Sequence, residues 1–338
     1  MGPGEAVVQT KDLTKKYGRI VALDRLTMSV QRGQILGFVG PNGAGKTTTI
    51  KILVGLARPT SGSASVAGID CVKEARKLKR LVGYMPDTFG SYDNMRVGEY
   101  LDFFGAAFSI PRRDRMRRIS EVLETAGAVS YRDLYVEALS HGMKQRVALA
   151  RTMLHDPEVL ILDEPANGLD PQARIEMRQL LLDLANRGKT LLVTSHILPE
   201  LARICHRVAI ITRGRLRAFG TLDEITHQLI QLRPMEVQLT SAEKIESVAD
   251  LVRRYIEPGA EVRSSPTEAV VWFRTAKREE ELAGLLRALV AADLRVAQFR
   301  EVQTDLEEAF MTVALSDRED PESASQPIAK AVSTGEAR

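Results

Sequence analysis

At 338 residues with 44% hydrophobic side chains, the chain has room for one large domain and a smaller one, with an ordinary globular composition. Its net charge of +3, from 47 basic and 44 acidic residues, argues against a dedicated nucleic-acid binder. No apolar run approaches the roughly 20 residues that span a bilayer. The N-terminus lacks a signal-peptide pattern, and Cys71 and Cys205 lack metal-ligand spacing, so a reduced intracellular compartment is the simplest expectation.

Residues 6–9 and 26–30 read as strands and suggest an antiparallel edge sheet. Residues 34–39 follow as a buried strand and 48–53 as a helix. Between and into them run Gly40, Pro41, Asn42, Gly43, Ala44, Gly45, Lys46, Thr47 and Thr48. The glycines let backbone N–H groups turn toward one point. Lys46 supplies a positive charge for the β- and γ-phosphates of a nucleotide, and Thr47 offers a hydroxyl to Mg²⁺. The helix N-terminus faces the same phosphates. A Gly-rich turn carrying an exposed lysine is the alternative.

Two basic clusters come next: Lys73, Arg76, Lys77, Lys79 and Arg80, then Arg112, Arg113, Arg115, Arg117 and Arg118. Helical runs at 97–108 and 116–126 mark residues 88–156 as a helical insertion. The spacing of Met116, Ile119, Val122 and Leu123 leaves several arginines of the second cluster on the opposite face, read as solvated, with contact to a membrane partner or anionic lipid as the alternative. Leu139, Ser140, His141, Gly142 and Met143 then stand where a nucleotide-hydrolysing dimer needs a second phosphate-reading element.

The apolar run Val159–Leu162 ends in Asp163 and Glu164. Asp163, at the strand end, binds Mg²⁺ directly or through water. Glu164, one residue further, is expected to point elsewhere, as a general base for water. The polar end of a strand is the plainer alternative. After Pro165, Asn167, Gly168, Leu169, Asp170 and Pro171 comes a further apolar run, 191–193, and then Thr194, Ser195 and His196. A neutral His196 there either hydrogen-bonds a γ-phosphate or the attacking water, or is structural. Alternating helices and buried strands through about residue 231 predict an α/β fold with a mostly parallel sheet and ligands at the carboxyl ends of its strands.

This ordered succession resembles an ATP-binding cassette, the nucleotide-binding half of an ABC transporter, over residues 5–231. The resemblance implies a P-loop NTPase fold with Gly40 to Thr48 as the Walker A loop, Asp163 and Glu164 closing Walker B, Asp170 in the D-loop and His196 as the switch histidine. It also implies that Tyr17 stacks on adenine, where a half-buried strand-edge aromatic is the alternative. Two positions depart from the family pattern. The signature peptide LSGGQ is here Leu139, Ser140, His141, Gly142 and Met143, which keeps a hydroxyl at a helix N-terminus and a residue without Cβ where backbone approaches phosphate. Asp87 stands where many relatives carry a glutamine that contacts Mg²⁺ and water; a carboxylate still suits a hard cation.

Beyond residue 231, strands at 235–240 and 269–273, helices at 244–255 and 279–291, and an extended stretch at 295–303 predict a small α+β domain over 232–315. Its end, Leu306, Glu307, Glu308, Ala309 and Phe310, is similar to the C-terminal extension of ABC-2-type exporter ATPases of the antibiotic-resistance kind. Residues 316–338 read as a disordered tail. The resemblance implies ATP and Mg²⁺ as ligands, a second ATP-binding subunit (a copy or a related chain) docked head to tail, and a peripheral place on the cytoplasmic face of the membrane. It further implies a separate permease whose cytoplasmic helix enters a groove near residues 91–99. The expected function is an ATPase that energises export, with no nucleic-acid partner. An importer ATPase with a regulatory C-terminal domain is one alternative. The other is a non-transport ABC ATPase, against which the single cassette and the short stretch from Lys46 to Asp163 both speak.

Overall fold

The computed structural model describes residues 6–90, 94–229 and 233–302. The chain opens with β1 (Ala6–Tyr17) and β2 (Ile20–Gln31), an antiparallel pair that runs well past the stretches legible in sequence. Register shifts along the pair break strict alternation, which hides the strands' length from a period-2 reading. The fully buried β3 (Ile35–Val39) feeds α1 (Lys46–Leu53). Then come β4 (Ser61–Val66), β5 (Ile69–Asp70), α2 (Ala75–Leu81) and β6 (Val82–Met85). The expected edge sheet is present, in the order β2-β1-β4-β5.

Three helices interrupt the strands: α3 (Val97–Ala107), α4 (Arg112–Thr125) and α5 (His141–Met153). The α/β alternation resumes with β7 (Val159–Leu162), α6 (Pro171–Asn186), β8 (Thr190–Ser195), α7 (Leu198–Ala202), β9 (Arg207–Thr212), β10 (Arg215–Gly220) and α8 (Leu222–Leu229). The central sheet has the order β10-β9-β3-β8-β7-β6, parallel throughout except for the antiparallel β10. It is buried on both faces, and alternation along each strand divides its side chains between two cores. Ile35 and Val39 of β3 join Leu160 and Leu162 of β7 in the core shared with the helical insertion. Leu36, Phe38, Val159 and Ile161 enter the core beneath the antiparallel sheet. This places the carboxyl ends of β3, β7 and β8 side by side.

The second arginine cluster divides between a solvated face and anchoring contacts. Arg112, Arg113 and Arg117 are exposed, but Arg115 and Arg118 are part-buried anchors. Arg115 Nε donates to Asp102 Oδ1 of α3 at 2.6 Å. Arg118 donates to the carbonyls of Met153 and Leu154 at the end of α5, at 2.8 and 3.1 Å. α4 also begins at Arg112, directly after Pro111, and takes in arginines that apolar spacing alone left outside the helix.

Further on, β11 (Arg233–Leu239), α9 (Ile245–Tyr255), β12 (Val262–Ser265), β13 (Val270–Thr275), α10 (Glu279–Ala291) and β14 (Val296–Glu301) form an antiparallel sheet of order β12-β13-β11-β14. Met235, Val237, Val248, Phe273 and Leu285 are among the side chains of its own core. The boundary at 231/232, the peptide Leu306 to Phe310 and the tail 316–338 lie outside the described residues, as do Ser91 to Asp93 of the expected groove. Among the described residues, no helix is long and apolar enough to cross a membrane.

Candidate active site

The loop between β3 and α1 is shaped by close approach. A Cβ on Gly40 would strike the carbonyl oxygen of Ile211, so only glycine lets the loop leave β3 at that point. Gly45 holds φ 111 as the residue before α1, and a Cβ there would come within 2.7 Å of the Ala22 carbonyl oxygen. α1 has no acidic residue in its first turn, so its N-terminal N–H groups and positive dipole end carry no opposing carboxylate of their own. Lys46 is only 7% exposed. Its Nζ donates to the Gly40 carbonyl at 2.5 Å and stands 3.7 Å from Glu164 Oε1.

Asp163 directly follows β7 and is 5% exposed. Burial pushes its carboxyl above the ordinary aspartate value; the Asp87 and Glu164 charges add to this, while the Thr194 hydroxyl and Lys46 oppose it. Glu164 has a φ of 52, and it lines the same pocket as Asp163, Lys46, Thr47, Thr48 and Asp87 while its carboxylate meets other partners than that of Asp163. A left-handed conformation at a non-glycine residue costs about 1–3 kcal/mol, so the surroundings must hold it. Glu164 Oε2 lies 3.0 Å from His196 Nδ1. A carboxylate only accepts, so Nδ1 carries the proton in this contact and a neutral ring keeps Nε2 as an acceptor.

Among the described residues, no cluster of three or more His, Cys, Asp or Glu side chains is arranged to hold a metal by itself. Mg²⁺ does not need one, because it keeps water and takes one or two carboxylates beside substrate phosphates. Asp163 and the Thr47 hydroxyl at the phosphate loop fit that requirement: a buried carboxyl crowded by two other acids is one that a hard cation would stabilise in its charged form.

The remaining sequence candidates fall around this pocket. Ser140 N-caps α5, its Oγ accepting from the Met143 N–H at 3.3 Å. Leu139 is buried, and a Cβ on Gly142 would come no nearer than 3.6 Å to a neighbour, the Leu169 side chain. His141 Nε2 meets the Asn167 carbonyl at 2.8 Å, and Asn167 Nδ2 reaches Asp87 Oδ1 at 3.4 Å. Asp170 N-caps α6 by accepting from the Ala173 N–H at 2.8 Å. None of residues 139–143 lines the chain's own phosphate pocket. Tyr17 stands outside that lining too, 48% exposed, with Lys15 Nζ 4.8 Å from its ring centre.

Sequence reasoning assigned no role to Thr194 or Asn167, the two side chains that tie these groups together. Thr194 donates to Asp163 Oδ1 at 2.7 Å and accepts the Glu164 N–H at 2.9 Å. The one available signal was a hydroxyl closing the aliphatic run of β8.

The sequence profile described as ABC transporter matches residues 23–167. A Nod factor export ATP-binding protein I from Ralstonia nicotianae (strain ATCC BAA-1114 / GMI1000) is 38% identical over 232 residues, which cover 68% of this chain and 72% of that protein. The chain belongs to the family of ABC transporter ATP-binding proteins. A probable multidrug ABC transporter ATP-binding protein, YbhF of Escherichia coli (strain K12), is 40% identical to this cassette protein over 226 residues, 67% of this chain. The match spans only 39% of the length of YbhF. Among solved structures, the dimeric bacterial ABC transporter cassette MJ0796 superposes with a TM-score of 0.58 at 26% identity, covering 64% of this chain and 98% of that one. The fold is therefore that of an ABC ATPase cassette: a mixed central sheet, an antiparallel sheet and a helical insertion. Its phosphate loop and Asp163–Glu164 pair lie inside the matched segment, whereas His196 lies beyond it.

Proposed function

We propose that this chain is the ATP-hydrolysing subunit of an ABC exporter, working as a head-to-tail pair beside a separate membrane permease. The observation that carries this reading is the convergence of Lys46, Asp163 and Glu164 in one pocket, where the loop after β3 meets the end of β7 across β8. Bound Mg·ATP supplies the electrophilic γ-phosphorus and a cation that neutralises phosphate charge. Lys46 and the N-terminus of α1 hold the β- and γ-phosphates; Asp163 and Thr47 are the residues that would hold the cation. Glu164 orients the attacking water and takes its proton, while His196, already in contact with Glu164, keeps its second nitrogen as an acceptor for that water. Lys46 stands between the Gly40 carbonyl and Glu164, so phosphates that draw its ammonium loosen its hold on the base. Ser140 and Gly142 of one copy would close on the nucleotide of the other; pairing itself is supported by the dimeric structure of the related cassette MJ0796. Residues 5–231 form the ATPase in this reading, and 232–315 serve the dimer or its permease contact without a catalytic group. The pair sits peripherally on the cytoplasmic face of the membrane.

Phosphate release from Mg·ATP by the purified chain tests the reading, alone and with permease-containing membranes. Release that rises with protein concentration as dimers form is the expected result. No release under either condition would remove the ATPase assignment.

Asp87 tests the departure from the family glutamine. It lines the phosphate pocket, adds its charge to that of Asp163, and is tethered to Asn167 at 3.4 Å. Asp87→Gln removes one negative charge beside Asp163 and adds an N–H donor for water. Turnover should rise by up to about tenfold, the worth of one well-placed hydrogen bond to a charged group, with KM for ATP nearly unchanged. Steady-state kinetics at saturating Mg²⁺ check this, and equal kcat in the two proteins would refute it.

A further inference from the structure

One side chain outside the assigned site residues bonds both acids of the site, Asp163 through its carboxylate and Glu164 through its backbone N–H. Thr194 lies near the carboxyl end of β8 and is 0% exposed. Its hydroxyl has a single proton, given to Asp163 Oδ1 at 2.7 Å, and lone pairs that accept the Glu164 N–H at 2.9 Å. The sheet arranges this meeting. The β7–β8 ladder pairs Leu162 with Val193 as its last register, so Asp163 and Thr194 leave it side by side. Past that point the Glu164 N–H bonds the hydroxyl rather than a strand carbonyl, and Glu164 holds the φ of 52 that returns its carboxylate to Lys46 and His196.

We propose that Thr194 is a positioning residue for hydrolysis, fixing the Asp163 carboxylate for the cation and locking the Glu164 backbone in the turn that aims its carboxylate at water. This rests on the ATPase reading above. A plain packing role would depend on the shape of the side chain, which valine reproduces; the positioning role depends on the hydroxyl, which serine keeps.

The full-length protein with Thr194→Val and with Thr194→Ser separates the two. The valine variant should lose about 10²-fold in kcat with KM for ATP little changed. Mn²⁺ binding to the ADP-loaded protein, read by electron paramagnetic resonance, should weaken about tenfold or more, as for loss of a group that orients a metal ligand. Serine should restore both. A valine variant equal to wild type in kcat and Mn²⁺ affinity overturns the proposal, and so does a serine variant as impaired as valine, which would assign the effect to methyl packing. Should the valine variant not fold by circular dichroism, Thr194→Cys against Thr194→Ser gives the same comparison with a weak donor in place of none. Wild-type protein that releases no phosphate would sink the ATPase reading itself, whereas active wild type with an indifferent valine variant sinks only the role of Thr194.

Discussion

Glu164→Gln is expected to cut phosphate release by about 10²–10⁴-fold while leaving ATP binding in place, the range that general bases supply. The change keeps side-chain size and the left-handed backbone, so the pocket's shape survives. What it removes is the basic carboxylate facing His196 at 3.0 Å and Lys46 at 3.7 Å. The uncharged amide that replaces it also frees the Lys46 ammonium for phosphate, which favours nucleotide binding. If hydrolysis reopens the head-to-tail pair, the variant should accumulate an ATP-bound dimer that wild type holds only transiently. Size exclusion with Mg·ATP and a phosphate-release assay read both consequences. Near-normal release would exclude Glu164 as the base, and no ATP-dependent dimer even with the permease present would undermine the sandwich.

The second large effect belongs to Lys46, with the opposite signature. Lys46→Ala removes the buried ammonium that the Gly40 carbonyl and Glu164 share, and with it the one side-chain cation lining the phosphate pocket among the described residues. Three acids, Asp87, Asp163 and Glu164, then face the nucleotide's own negative charge with less to offset it. Affinity for ATP should collapse along with turnover, so that kcat/KM falls by about 10²–10³-fold or more, the scale seen when one preorganised donor to developing charge is lost. Titration with a fluorescent ATP analogue distinguishes the two variants: Glu164→Gln should bind and Lys46→Ala should not. Unchanged affinity in Lys46→Ala would mean that the loop's N–H groups alone hold the phosphates.

Much of this was legible in the chain. α10 occupies Glu279–Ala291, the span read from its apolar spacing, and β3 leads into the phosphate loop as its unbroken aliphatic run predicts. Local rules suffice there because both elements are specified by neighbours in sequence: a 3.6-residue stripe in one case and a run buried on both faces in the other. Where the reading fell short, distant partners decide. The roles of Arg115 and Arg118 come from an aspartate of α3 and from the end of α5, and no spacing within α4 announces them.

The sequence by itself determined the order of the parts: a glycine loop before a helix, an acid pair after an aliphatic strand, and a hydroxyl and a histidine after the next one. These are short-range facts, because a loop's φ requirements and a strand's burial pattern act over a few residues. Only the tertiary structure decided how the parts face one another. Parallel pairing of β7 with β8 sets Asp163 beside Thr194, 31 positions apart, and the same hydroxyl takes the Glu164 N–H. His141, Asn167 and Asp87 likewise meet only because α5, the loop before α6 and the end of β6 converge at one edge of the site. The register of a parallel sheet is fixed by burial on both its faces at once, a property of the assembled core that no single segment carries.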